Sequence, residues 1–343
     1  VLGEAALAEA MRTAIAASER VRGTTSPNPP VGAVILDAEG RTVGVGATQP
    51  PGGPHAEVMA VRAAGDAAKG GTAVVTLEPC SHTGRTPPCT DLLKSVGVAQ
   101  VYFAVADPNP VAAGGMRVLA EAGIPARQGL LAQDVERGPL RAWLHYARTG
   151  RPHVTWKYAM TMDGRVAAAD GTSRWISGPE SRAEVHELRR AMDAIVVGTG
   201  TVRVDDPQLT ARDADGALLD RQPLRVVVGT SDVPAGSKVL DDAAETLQLR
   251  TAKPAEVLAT LGARGVVDVL LEGGPRLAGA FLRAGLVDRV LAYVAPKLLG
   301  SGPVALGDAG VATITQAHLW TVESATMSGP DVRVSAIPVR EIA

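Results

Sequence analysis

The chain has 343 residues, 46% hydrophobic and 20% charged, with 34 Lys+Arg against 36 Asp+Glu for a formal net charge of −2. That length exceeds one ordinary core, so two domains are expected, each burying its own interior. Balanced charge and only ten aromatic side chains (four Trp, four Tyr, two Phe) speak against a basic, base-stacking nucleic-acid surface, and no apolar run approaches membrane-spanning length.

Leu7, Met11 and Ile15 recur every four residues in an Ala-rich stretch, which predicts an amphipathic helix over 3–19. Three prolines within 23–30 then force a loop. Short apolar runs at 31–36 and 41–47 flank Asp37-Ala38-Glu39-Gly40, a hairpin pattern. A second Pro/Gly loop delivers the chain to His55 at the start of a helix, with Glu57 about half a turn on. Residues 72–77 read as a buried strand ending at Glu78-Pro79-Cys80, and Thr90 with Asp91 as the cap and first turn of another helix. A strand at 101–105, a turn at Asp107-Pro108-Asn109-Pro110, a helix at 116–122 and a long helical period over 130–147 follow. The alternation predicts an α/β layout.

His55, Glu57, Cys80 and Cys89 carry the chemistry. A His two residues before a Glu, then Pro-Cys and a second Cys, matches the H-x-E…P-C-x-x-C signature of zinc-dependent nucleobase deaminases, except that eight residues, Ser81 to Pro88, separate the cysteines. A lone helical His or buried Cys is usually structural, but all four residues together are a poor coincidence. His55, Cys80 and Cys89 are the expected Zn2+ ligands, keeping a fourth position for water, and Glu57 the expected general acid/base. His82 is either a fourth ligand, closing a structural site, or a substrate contact; Glu57 favours the open site. The pair Cys80/Cys89 reads as metal-binding rather than as a lone disulfide. Residues 1–12 lack the layout of a signal peptide, so a cytoplasmic enzyme is expected.

The fuller pattern is more specific. Thr24-Thr25-Ser26-Pro27-Asn28-Pro29-Pro30-Val31-Gly32, His55-Ala56-Glu57, the stretch from Thr76-Leu77-Glu78-Pro79-Cys80 to Pro87-Pro88-Cys89, and Asp107-Pro108-Asn109-Pro110 closely resemble the deaminase domain of the bifunctional riboflavin-biosynthesis deaminase/reductases. In that family the long gap between the cysteines is the norm. The resemblance implies a cytidine-deaminase-like α/β/α domain in which Asn28, His82 and the 81–86 loop line the substrate pocket.

Turn chemistry at Arg148-Thr149-Gly150-Arg151-Pro152 sets the expected domain boundary, 1–148 and 149–343. Beyond it come a strand at 153–160, a turn at Asp163-Gly164 and a helix at 180–191. The strand at 194–197 opens into Gly198-Thr199-Gly200-Thr201. Another, at 266–271, is followed by Glu272-Gly273-Gly274-Pro275 and a helix at 276–284. Glycine turns between strand and helix expose N–H groups that favour phosphate, although each alone is also a common steric device.

Trp156-Lys157, Met162-Asp163-Gly164-Arg165, Ser173-Arg174-Trp175-Ile176, the run Val197 to Val202 with Asp205-Asp206-Pro207, Leu271 to Pro275 with Leu277-Ala278-Gly279-Ala280, and Ala295 to Gly300 resemble the same family's reductase domain. The resemblance implies a dihydrofolate-reductase-like α/β fold that uses NADPH. By it, Ala159, Trp175, Thr201, Asp205, Thr230, Gly274, Pro275, Arg276, Leu277, Ala278, Gly279 and Ala280 line the cofactor site. Ser173, Arg189, Leu209, Arg212 and Glu272 contact substrate. Arg189 and Arg212 suit the substrate phosphate, and Lys157, Asp205 and Glu272 are candidates for orienting groups and managing protons. The expected enzyme deaminates a phosphorylated diaminopyrimidine and then reduces its ribosyl group, with no nucleic-acid or membrane partner, and the family suggests a homodimer. The competing readings are a nucleic-acid-editing deaminase with a C-terminal targeting module, disfavoured by the charge balance, and a zinc-stapled nucleotide sensor, disfavoured by Glu57.

Overall fold

The computed structural model describes residues 2–82 and 87–339; the expected pocket role of residues 83–86 lies outside them. The chain divides into two compact units, residues 1–151 and 152–343.

The first unit runs α1 (Glu4–Arg20), β1 (Gly32–Leu36), β2 (Thr42–Ala47), α2 (Ala56–Ala64), β3 (Thr72–Leu77), α3 (Cys89–Val96), β4 (Gln100–Val105), α4 (Gly115–Glu121), β5 (Ala126–Gln128), α5 (Ala132–Arg137) and α6 (Arg141–Thr149). Its sheet is ordered β2-β1-β3-β4-β5, with β1 antiparallel to β2 and β3, and β3, β4 and β5 parallel. All six residues of β3 are buried, as a strand flanked on both sides requires.

Two local expectations are corrected. α3 starts at Cys89 with Pro88 as its cap residue, so Thr90 lies inside the first turn, its N–H donating to the Cys80 carbonyl at 3.2 Å. The helical period over 130–147 is cut into α5 and α6 at Gly138-Pro139. Pro139 has no N–H to offer the Val135 carbonyl, and Leu140 takes that acceptor instead at 3.2 Å.

The second unit runs β6 (His153–Thr161), α7 (Pro179–Ala191), β7 (Ala194–Gly198), α8 (Thr199–Asp205), β8 (Leu224–Val228), β9 (Thr246–Leu249), α9 (Pro254–Ala263), β10 (Asp268–Leu271), α10 (Pro275–Arg283), β11 (Arg289–Ala295), β12 (Trp320–Ser328) and β13 (Asp331–Pro338). Its eight strands are ordered β12-β13-β11-β6-β10-β7-β8-β9, antiparallel only where β13 meets β11 and β12. Side chains alternate between two cores, as the period of a strand dictates. Val196, Val269 and Leu271 face α9 and α10 through Leu258, Leu261, Phe281 and Leu282, while Ile195, Val197 and Leu270 face Met192, Val202 and Leu209. The carboxyl ends of β6, β7, β8 and β10 therefore carry the polar loops, the usual ligand-binding edge of such sheets. Among the described residues no helix is long and apolar enough to cross a membrane.

Candidate functional site

In the first unit, a Cβ at Gly46 on β2 would fall 2.3 Å from the Ala56 carbonyl oxygen and from the Ala60 nitrogen, so only glycine lets α2 seat on the strand. That seating fixes the start of α2, with His55 at its cap position and Glu57 in its first turn. Cys80 follows β3, and Cys89 opens α3. His55 Nδ1 is 3.7 Å from Cys80 Sγ and 3.4 Å from Cys89 Sγ, and the three ligand atoms lie within 4.8 Å of one another. His82 is not part of this cluster; it adjoins Asp107, and its Nδ1 is buried with no hydrogen-bond partner among the described residues.

The electrostatics suit a cation. Cys80 is drawn down to about 4 by the hydrogen bond from the Cys89 side chain, against its own burial, with His55 assisting. Cys89 is pushed up by that same bond and by burial, and His55 is raised by Cys80. One imidazole nitrogen and two sulfurs converging on a point form the mixed N/S donor set that fits zinc, and a divalent ion would neutralise the charge that drives these shifts. Glu57 is 4% exposed and outside the triplet, its carboxyl within bonding reach of Cys89; burial pushes it up to about 7, with the Cys80 charge adding to the effect.

The loop after β4 braces the cysteines. Glu78, itself buried, accepts the N–H of Met116 at 3.0 Å and of Asp107 at 3.3 Å. Ser81 Oγ donates to the Ala113 carbonyl at 2.8 Å. A Cβ at Gly115 would lie 1.9 Å from the Pro79 carbonyl oxygen, so α4 begins hard against the ligand-bearing turn.

In the second unit, Leu271 of β10 is in register with Trp156 of β6, which makes Glu272 and Lys157 neighbours. Lys157 Nζ donates to Glu272 Oε2 at 3.2 Å, while Arg189 Nε and NH2 grip Oε1 and Oε2 at 2.7 and 3.0 Å. Burial alone would raise the Glu272 carboxyl, but Arg189 and Lys157 hold it well below the usual range. Beside this cluster, the Gly274 N–H meets Thr201 Oγ1 at 3.3 Å. A Cβ on Gly200 would meet no atom within 4 Å, and one on Gly274 only Thr201 Oγ1 at 3.5 Å. Gly200 in the first turn of α8 and Gly274 at the cap of α10 thus leave open space beside two helix starts, where N–H groups favour an anion.

Two family profiles match the chain: the RibD C-terminal domain over residues 152–332 and the cytidine and deoxycytidylate deaminase zinc-binding region over residues 5–105. The riboflavin biosynthesis protein RibD of Mycobacterium tuberculosis is 56% identical over 96% of both chains. That of Corynebacterium ammoniagenes is 51% identical, over 86% of this chain and 87% of its own. The solved deaminase/reductase of Thermotoga maritima superposes with a TM-score of 0.89 at 32% identity, covering 98% of this chain and 99% of its own. The chain belongs to the RibD family. It is a bifunctional enzyme of riboflavin biosynthesis, with a deaminase domain and a reductase domain.

Within this RibD chain the remaining expected residues are unevenly placed. The Ser173 hydroxyl bonds the Asp205 carboxyl, which burial raises, and Arg174 NH2 donates to the Asp205 carbonyl at 2.6 Å. Trp175 is 61% exposed, with the Arg182 guanidinium 4.6 Å from its ring centre and Lys297 Nζ on its carbonyl at 2.6 Å. Ala159 follows Lys157 by two residues on β6, so both face the same side. Thr230 adjoins Gly229, where a Cβ would meet Thr199 Oγ1 at 2.5 Å, so its turn borders the start of α8. Pro275, Arg276 and Leu277 form the first turn of α10, and Ala280 is half-buried a turn later. Asn28 is exposed in a turn closed by its N–H to the Thr25 carbonyl at 2.8 Å.

Four of the expected contacts need correction. Leu209 is 3% exposed and belongs to a core cluster, so its side chain serves packing. Ala278 is fully buried, and Gly279 is buried where a Cβ would lie 2.3 Å from the Asp308 carbonyl oxygen; both serve helix packing. Arg189 has its planar fork on Glu272, so it does not form a phosphate clamp with Arg212; the two meet through Thr210, whose carbonyl takes Arg189 NH1 and whose hydroxyl takes Arg212 Nε, each at 3.2 Å. Sequence reasoning assigned no role to Glu78, His186 or Gln208. Glu78 was visible as an acid closing an apolar strand, whereas His186, on the Thr210 carbonyl at 3.2 Å, has no local signal.

Proposed function

We propose that residues 1–148 use Zn2+ to deaminate 2,5-diamino-6-ribosylamino-4(3H)-pyrimidinone 5′-phosphate, and that residues 149–343 use NADPH to reduce 5-amino-6-(5-phosphoribosylamino)uracil to the ribityl product. The observation that carries this reading is Glu57, buried beside the His55–Cys80–Cys89 triplet but outside it, in one chain with the Lys157–Glu272–Arg189 cluster. The Thermotoga maritima relative is described as a deaminase and reductase of these substrates.

In the deaminase, His55 Nδ1 and the sulfurs of Cys80 and Cys89 hold zinc, which when bound supplies the Lewis acidity that activates water near neutrality. Glu57 takes the proton of the attacking water and passes it to the pyrimidine ring nitrogen and the departing ammonia, a role suited to a carboxyl near 7. His82, whose buried Nδ1 has no partner among the described residues, and Asn28 hold the pyrimidine.

In the reductase, NADPH when bound supplies the hydride received at C1′ of the open-chain ribosyl imine. Glu272 aims the Lys157 side chain, and Lys157 Nζ delivers the proton to the imine nitrogen. Trp175, Thr201, Thr230 and Gly274 flank the cofactor, Ser173 and Asp205 orient the sugar, and Arg212 takes the substrate phosphate. The same reading makes the enzyme cytoplasmic and homodimeric, which rests on family likeness. The test is incubation with the diaminopyrimidine phosphate, with and without NADPH, following ammonia release and NADPH oxidation separately. Zinc-loaded protein that does neither overturns the reading.

A further inference from the structure

The largest fully buried side chain among the described residues is a cation outside both clusters. Arg225 of β8 is 0% exposed. Its NH1 donates to Asp241 Oδ1 at 2.7 Å and to the Gln208 carbonyl at 3.3 Å, and its NH2 to the carbonyls of Asp241 and Ala244. The second oxygen of Asp241 accepts from Gln208 Nε2, and Gln208 Oε1 accepts from Arg212 NH2. A buried guanidinium is tolerated where its charge is answered; Arg225 Nε has no partner among the described residues, but the groups that answer NH1 and NH2 lead, bond by bond, to Arg212.

The backbone between them is held rather than relaxed. Asp206 and Leu209 both lie in the left-handed region, at φ +41° and +56°, which residues other than glycine keep only when their surroundings impose it. Asp206 is fixed by the Lys238 N–H on its Oδ1 at 2.8 Å, and Leu209 by the core. Arg212 itself gives Nε to Thr210 Oγ1 and NH1 to the Gly216 carbonyl. With NH2 on Gln208, three of its five N–H donors are engaged, which leaves two for an oxyanion.

We propose that Arg225, Asp241 and Gln208 are positioning residues that hold the Arg212 guanidinium in one orientation before the substrate phosphate arrives. The proposal rests on the reading of Arg212 as the phosphate contact. A guanidinium whose rotamer is already fixed loses less freedom on binding, so the relay acts on affinity and not on the hydride step.

The test uses the full chain with zinc and NADPH and reads the reductase KM, its kcat and competitive inhibition by inorganic phosphate. Ammonia release by the deaminase and the far-ultraviolet spectrum serve as folding controls. Gln208→Glu places an acceptor against Asp241, and Asp241→Asn in the same chain restores a donor–acceptor pair. Gln208→Glu is expected to raise KM and the phosphate inhibition constant together by about tenfold with kcat within about twofold, and the double variant to bring both back. An unchanged KM in Gln208→Glu while Arg212→Ala raises it overturns the relay. So does a fall in kcat at constant KM. If Arg212→Ala itself leaves KM and phosphate inhibition unchanged, the phosphate reading of Arg212 fails and the relay fails with it.

Discussion

Arg189 and Glu272, 83 residues apart in sequence, form a bidentate ion pair at 2.7 and 3.0 Å whose carboxylate is 9% exposed. Lys157 completes it from the adjacent strand. Removing the carboxylate leaves two cations facing each other in a buried site. Glu272→Gln is therefore expected to destabilise the reductase unit by about 3 kcal/mol and to abolish NADPH oxidation, while ammonia release continues. Denaturant unfolding followed alongside both activities checks this; equal loss of the two activities would contradict it.

Glu57→Gln keeps the shape of the deaminase site and removes the carboxyl proposed as its proton carrier. The variant is expected to retain zinc at wild-type stoichiometry and to lose deamination by about 10²–10⁴-fold. Reduction of supplied deaminated intermediate should proceed at the wild-type rate. Metal analysis with the two separate assays decides it, and deamination within a few fold of wild type would remove Glu57 from its role.

What was readable in the sequence follows from how local each signal is. β3 is a six-residue run of Thr, Ala, Val and Leu between a Gly pair and Glu78-Pro79, and its bounds were legible to the residue. The convergence of His55, Cys80 and Cys89 was legible because residues able to hold a metal leave a residue-type signature even when 34 residues apart. The break at Gly138-Pro139 is masked in the sequence because the apolar period continues across it. Glu272 with Arg189 has no such signature, since register between β6 and β10 and the placement of α7 create it. Leu209, Ala278 and Gly279 show a different limit: resemblance marks a segment near a ligand, but packing decides which atoms face it.

Asp163 supplies a pH dependence with a definite sign. Thr161 Oγ1 and the N–H groups of Gly300 and Leu299 hold its carboxyl down to about 2, against the ordinary 3.8. A depressed folded value contributes stability above the unfolded pKa and loses it as pH falls from about 4 toward 2. Wild type and Asp163→Asn should therefore differ in denaturant midpoint at pH 6, with the difference shrinking steadily on acidification below pH 4. A difference that does not vary with pH would show that the carboxylate charge is not what ties the turn to Leu299 and Gly300.

Glu78 links the brace to the proposed zinc site. Its two oxygens take backbone N–H groups from both ends of the 107–116 segment, and that segment holds Ser81 and presses Gly115 against Pro79, the neighbours of Cys80. Glu78→Gln keeps the volume but turns one acceptor into a donor facing an N–H, so one end of the segment must let go. Groups that orient ligands without touching the ion typically change metal affinity about 10–100-fold, and the lower end is expected here because Glu78 acts through backbone. Competition against a chromophoric chelator should show zinc held about tenfold more weakly, with the reductase unaffected. Unaltered zinc affinity together with normal deamination would mean that Pro79 and Gly115 alone position Cys80.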